Sequence, residues 1–140
     1  MNCISNYDVK ILMALSEALK GKRKFADWFV ANGYPELAAF SAAVNSNEEA
    51  LHWLISKSKH PELGVLSNAI DDEQNALMWL RRYNAELMFM FAKACRKDDK
   101  AVMWFVSRDL KALILLIKTI QEIIQKQIDD AADVHKIRRS

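Results

Sequence analysis

The sequence predicts an all-α domain, an α-solenoid of about four to five stacked helical hairpins with a long C-terminal capping helix. Three observations predict it. The chain has 140 residues, 51% of them hydrophobic and 27% charged, with a formal net charge of +2. That describes one globular domain with apolar material for a core, and it excludes a disordered chain. Three glycines and two prolines are few beside the roughly 12% of average usage, so a sandwich or barrel that needs many tight turns is excluded too. Finally, Trp28, Trp53, Trp79 and Trp104 are separated by 25, 26 and 25 residues, the mark of an internal repeat.

Each element then follows from a second column. Leu37, Leu63, Leu87 and Leu113 follow the tryptophans by eight to ten residues, usually within a Glu-Leu pair (Glu36-Leu37, Glu62-Leu63, Glu86-Leu87). The column extends back to Leu12, where Leu12-Met-Ala-Leu-Ser parallels Leu37-Ala-Ala-Phe-Ser and Leu63-Gly-Val-Leu-Ser. Apolar residues recur at three and four within each copy, as in Leu63, Leu66, Ala69 and Ile70, which is helical spacing. Two columns at one period mean a two-helix repeat. Helices are expected at roughly 6–19, 23–31, 35–44, 47–57, 61–70, 72–82, 85–95, 98–107 and 109–134, in a single domain of one half repeat (6–21), four repeats (22–46, 47–71, 72–97, 98–121) and a cap extension (122–140). Ser46-Asn-Glu-Glu49 and Asp71-Asp-Glu-Gln74 have the capping-box pattern, and Asp98 or Asp99 can cap the fourth copy. Pro35 and Pro61 sit where a first helical turn has no use for an N–H. Helices of ten residues are marginal alone, so the hairpins must bury their stripes on one another. Leu113, Leu116, Ile117, Ile120, Ile124 and Ile128 give the last helix the stripe of a cap.

Trp28-Phe-Val-Ala-Asn-Gly-Tyr-Pro-Glu-Leu37 resembles the centre of an ankyrin repeat, with its tight turn between two helices. Ala50-Leu-His-Trp53 and His60-Pro-Glu-Leu63 are similar to that family's Pro-Leu-His and His-x-Glu-Leu positions. The resemblance spans roughly residues 24–120. Copies three and four keep only the apolar columns, and the period is about eight residues short of 33, which removes the β-hairpin finger. The resemblance implies a protein–protein interaction module, but it carries over no binding residues because the finger that usually holds them is missing.

Candidate functional residues fall into three groups. The tryptophan column is either an aromatic platform or repeated core; its periodicity and its apolar neighbours Phe29, Leu54, Leu80 and Phe105 favour core, together with Leu37, Leu63, Leu87 and Leu113. Charges segregate by loop. The turn after each tryptophan helix is basic (Lys57, Lys59, His60, Arg81, Arg82, Arg108, Lys111), and the turn between repeats is acidic or mixed. Complementing helix dipoles explains much of this; the competing reading is a basic ridge for an acidic protein or, as the alternative class, nucleic acid. The third group is Met88, Phe89, Met90 and Phe91, in a stretch apolar all round, which implies burial or a patch for a partner or a second copy. Lys20-Gly-Lys-Arg-Lys24 reads as a solvated turn, and His135-Lys-Ile-Arg-Arg-Ser140 as compensation of the last helix's C-terminus.

Two cysteines 92 positions apart suit neither a disulfide framework nor a zinc site, and with no signal-peptide pattern at the start a cytoplasmic setting is expected. Apolar runs reach six residues, far below the roughly 20 of a membrane span. His52, His60 and His135 lack ligand spacing, and no phosphate loop or nucleophile elbow occurs. The expectation is a non-catalytic module without cofactor or metal, bound to another protein, with its oligomeric state left open between a monomer, which is favoured, and self-association.

Overall fold

A computed structural model describes residues 3–139, with side chains described for residues 3–133. The chain is all-α. After a 3-10 turn, Ile4–Asn6, nine α-helices follow among the described residues: α1 (Val9–Leu19), α2 (Arg23–Ala31), α3 (Pro35–Val44), α4 (Glu48–Ser56), α5 (Pro61–Ile70), α6 (Gln74–Arg82), α7 (Glu86–Cys95), α8 (Asp99–Ser107) and α9 (Lys111–Arg139). Every turn reverses the chain, so the odd-numbered helices run one way and the even-numbered ones the other.

The turns explain the repeat. Between repeats the chain turns through a left-handed residue at Gly21, Ser46, Asp72 and Lys97. There the next residue's N–H bonds back across the helix end, from Lys22 to Glu17 O, Asn47 to Ala42 O, Glu73 to Asn68 O and Asp98 to Lys93 O, a Schellman closure that satisfies carbonyls the helix leaves free. Within repeats, Gly33, Asn84 and Asp109 are left-handed. The turn between α4 and α5 is one residue longer and has no left-handed residue; Ser58 knits it instead, its hydroxyl donating to Leu54 O at 2.6 Å and accepting from the His60 N–H at 3.0 Å. This extra residue is the source of the single spacing of 26.

These closures shift two expected caps. Ser46 is spent on the left-handed turn, and Asp71 ends α5 as its C-cap residue. The side chains that bond the helix N–H groups are Asn47, to Ala50, and Glu73, to Asn75 and Ala76, so α6 begins at Gln74 and not at 72. Asp98 caps α8 as expected, accepting from Ala101. The first helix begins at Val9, capped by Asp8, and not at 6.

Packing follows a 25-residue register. Leu12, Leu37, Leu63, Met88 and Leu113 are all buried, as are Leu15, Phe40, Leu66, Phe91 and Leu116. The position assigned to Leu87 therefore belongs to Met88; Leu87 is half-buried. Glu86-Leu87 resembles Glu36-Leu37 in letters but lies one residue out of phase. Small buried residues (Ala18, Ala43, Ala69, Ala94; Ser16, Ser41, Ser67, Ala92) form further columns and let the helices approach closely.

Neighbouring odd-numbered helices pack side by side: α1 on α3, α3 on α5, α5 on α7 and α7 on α9. The series then closes, because α9 packs extensively on α1. The Ser16 and Thr119 hydroxyls, 103 residues apart, are hydrogen-bonded in that buried contact at 2.9 Å. The fold is thus an inner ring of five helices clad by α2, α4, α6 and α8. Ile4 is wholly buried, and Tyr7 reaches Glu36, so the N-terminal segment covers one mouth of the ring. At the other mouth α9, about 43 Å long, runs on past the ring. Its Gln121 donates to Ala94 O at 2.9 Å and its Gln127 to Val44 O and Ser46 Oγ at 3.3 and 3.0 Å. Ile123 and Ile124 pack on the core, while Ile128, the last of the predicted stripe, is exposed.

Candidate partner-binding surfaces

The tryptophans do not form the core. The fully buried residue of each outer helix is the one after it: Phe29, Leu54, Leu80 and Phe105. One residue along a helix is a rotation of about 100°, which moves each tryptophan to the flank. Trp53, Trp79 and Trp104 are half-buried there and Trp28 is 45% exposed. Trp28 stacks on Tyr34, Trp79 meets Tyr83 at 4.7 Å, and Trp104 lies under the Arg108 guanidinium at 3.9 Å. These partners stand six, four and four residues further on, a spacing legible in the sequence. Trp28, Trp79 and Trp104 thus brace the turns that follow them, while Trp53 packs against the core.

The basic turns do share one rim, since the even-numbered helices all end there. Lys57, Lys59, Arg81, Arg82, Arg108 and Lys111 are exposed. They do not form an unbroken ridge. Glu86 and Asp109 lie among them, exposed. Arg108 also donates to Trp104 O at 3.1 Å, and Arg81 sits 5.4 Å from the Phe89 ring centroid. His60 faces inward: its Nδ1 is 3.5 Å from Glu62 Oε1 and its Nε2 4.0 Å from Glu36 Oε1, which also accepts from the Tyr7 hydroxyl at 3.1 Å. Glu36 and Glu62, buried at matching positions of α3 and α5, thus use His60 to join two repeats and the N-terminal segment.

In the Met88–Phe91 stretch, Met88 and Phe91 are buried, Phe91 edge-on to Phe105 at 6.1 Å. Phe89 and Met90 are half-buried and line a hollow of about 420 Å³ with Arg81, Asn84 and Glu86. Among the described residues, no group of three or more His, Cys, Asp or Glu side chains is placed to hold a metal ion, and no helix is long and apolar enough to cross a membrane. His135 and the rest of the basic tail lie outside the described side chains.

One hollow was missed by the sequence reading. About 720 Å³ in volume, it lies between α1 and α2, with Ile11, Ala14, Phe25, Trp28 and Tyr34 forming apolar walls and Asp8, Lys10 and Lys24 the rim. A second, of about 350 Å³, adjoins it through Lys10, Ala14 and Phe25, and extends by Met13 to Leu115 of α9. Met13 and Val9, on α1, are 51% and 57% exposed. At the far end of α1, Lys22 bonded to Glu17, with Lys20 beside it, holds the Glu17 carboxyl below its ordinary range.

The chain matches no family model, no curated protein and no solved structure. The likeness to ankyrin repeats rests on the hairpin residues alone.

Proposed function

We propose that this protein is a non-catalytic protein–protein interaction module, with the face formed by α2, α1 and α9 as its docking surface. The observation that carries the reading is the clustering there of Met13, Trp28 and Leu115, exposed apolar side chains that line two adjoining hollows. Large exposed apolar groups gathered on one face mark an interaction site far better than the same residues scattered, and an aromatic residue beside cations is the composition of an interface hot spot. The ankyrin-like hairpin pattern supports the same role. Affinity capture from the source cells tests it. Wild-type bait retains a protein partner and Met13→Asp/Trp28→Ala bait loses it, while Lys57→Glu/Arg81→Glu/Arg82→Glu bait keeps it. Loss in the rim variant alone moves docking to the basic turns, and no partner with wild type counts against the reading.

A second reading, phosphate binding by the rim, rests on the exposed Lys57, Lys59, Arg82 and Lys111. The acidic Glu86 and Asp109 interrupt that surface, which disfavours it. Its signature is an affinity for duplex DNA or RNA that falls by about 0.9 log unit per log unit of salt for each phosphate neutralised; no shift at low salt ends it.

A further inference from the structure

Each outer helix covers the groove between two neighbouring inner helices: α2 lies on α1 and α3, α4 on α3 and α5, α6 on α5 and α7, and α8 on α7 and α9. The fifth groove, between α9 and α1, has no helix of this chain over it among the described contacts. The repeat register makes the consequence visible residue by residue. Ala38, Gly64, Phe89 and Ile114 occupy one inner-helix position, buried or half-buried. Gly64 lies so close to α4 that a Cβ there would stand 2.5 Å from Ile55 Cγ1, and Phe89 lies beneath Arg81 of α6. The same position on α1 is Met13, 51% exposed. On the other wall, Ala14, Ala39, Val65 and Met90 are half-buried, and the equivalent residue of α9, Leu115, is 38% exposed. Met13 and Leu115 line one hollow.

We propose that this fifth groove docks a single amphipathic helix of the protein partner, about nine residues long and antiparallel to α1, whose one large apolar side chain enters beside Met13 and Leu115. The inference rests on the interaction reading above and names the partner's chemistry. The other grooves specify the occupant. The four equivalent grooves each hold a nine-residue helix that buries one large apolar residue completely, Phe29, Leu54, Leu80 or Phe105, so the fifth is shaped for a helix of that pattern. Its exposed charges are of both signs, Lys10 and Lys111 with Asp8 and Asp109 toward one end and Lys118 with Glu122 toward the other, so the apolar walls and not charge select the occupant.

The test uses the full chain and a fluorescein-labelled peptide of residues 46–58, the chain's own α4 sequence with Glu48 and Glu49 in its first turn, read by fluorescence anisotropy. The peptide is expected to bind saturably, and at least tenfold more weakly to Met13→Asp or Leu115→Asp. A peptide carrying Leu54→Asp is expected not to bind. Met13 and Leu115 are exposed, and unchanged thermal melts confirm that the variants fold. Peptide binding that ignores Met13→Asp and Leu115→Asp overturns the groove as its site. Absence of peptide binding overturns the helical occupant, while a native partner still lost from Met13→Asp/Trp28→Ala bait leaves the interaction reading standing. A dimer in sedimentation that Met13→Asp dissolves overturns the proposal in favour of a second copy.

Discussion

Tyr7, Glu36, His60 and Glu62 show how single side chains join parts of the chain far apart in sequence. Their letters gave no sign of it: Glu36 and Glu62 read as ordinary helix-start acids, and His60 as one cation of a basic turn. Periodicity placed the acids at equivalent positions, but nothing in a 25-residue pattern says which side chains will converge at a mouth of the ring. Met88 makes the converse point. Its burial follows from the phase of the preceding turn, and the Glu-Leu pair one step earlier was a decoy because letters repeat more loosely than geometry. Cysteine chemistry is also decided at this scale. Burial pushes the Cys95 thiol well above its ordinary pKa by opposing the charged thiolate, whereas Cys3 is partly exposed. A disulfide-exchange reagent is expected to titrate one thiol in the native protein and two after unfolding; two fast-reacting native thiols would contradict the buried position.

The elements were legible because period, caps and apolar spacing agree. Helices α2 to α5 and α7 lie within a residue or so of their expected bounds. The errors gathered at turns, where Ser46 reverses the chain and Asp71 ends α5, so that neither caps the helix that follows. An L-residue held left-handed costs about 1 to 2 kcal/mol relative to a right-handed one, and glycine escapes that cost. Lys97, at φ 64°, offers only a 3.4 Å contact to Gln125 in return. Lys97→Gly is therefore expected to stabilise the protein by roughly 0.5 to 1 kcal/mol, measured by urea unfolding; a destabilised variant would show that Lys97 acts through something other than backbone geometry.

At the scale of the whole molecule, the stacking of repeats was legible and its closure was not, since no spacing records that a helix beginning at residue 111 meets one beginning at residue 9. Closure should make unfolding a single event. Thr119→Val leaves the 1% exposed Ser16 hydroxyl without its partner across the α1–α9 contact, at a cost of about 1 to 2 kcal/mol and roughly 2 to 6 °C in Tm. Helical circular dichroism and tryptophan fluorescence are expected to shift together; a C-terminal part melting first would show that the two ends are not coupled.

The ring also fixes how such a chain can grow. A linear array tolerates duplication or loss of a unit, because each repeat needs only its neighbours. Here a sixth inner helix would widen the axis and part α9 from α1, and a ring of only four would leave too little room for Leu15, Phe40, Leu66, Phe91 and Leu116, all wholly buried. The number of repeats is therefore a closed quantity, and variation is left to the outer surface and the helix that runs beyond it.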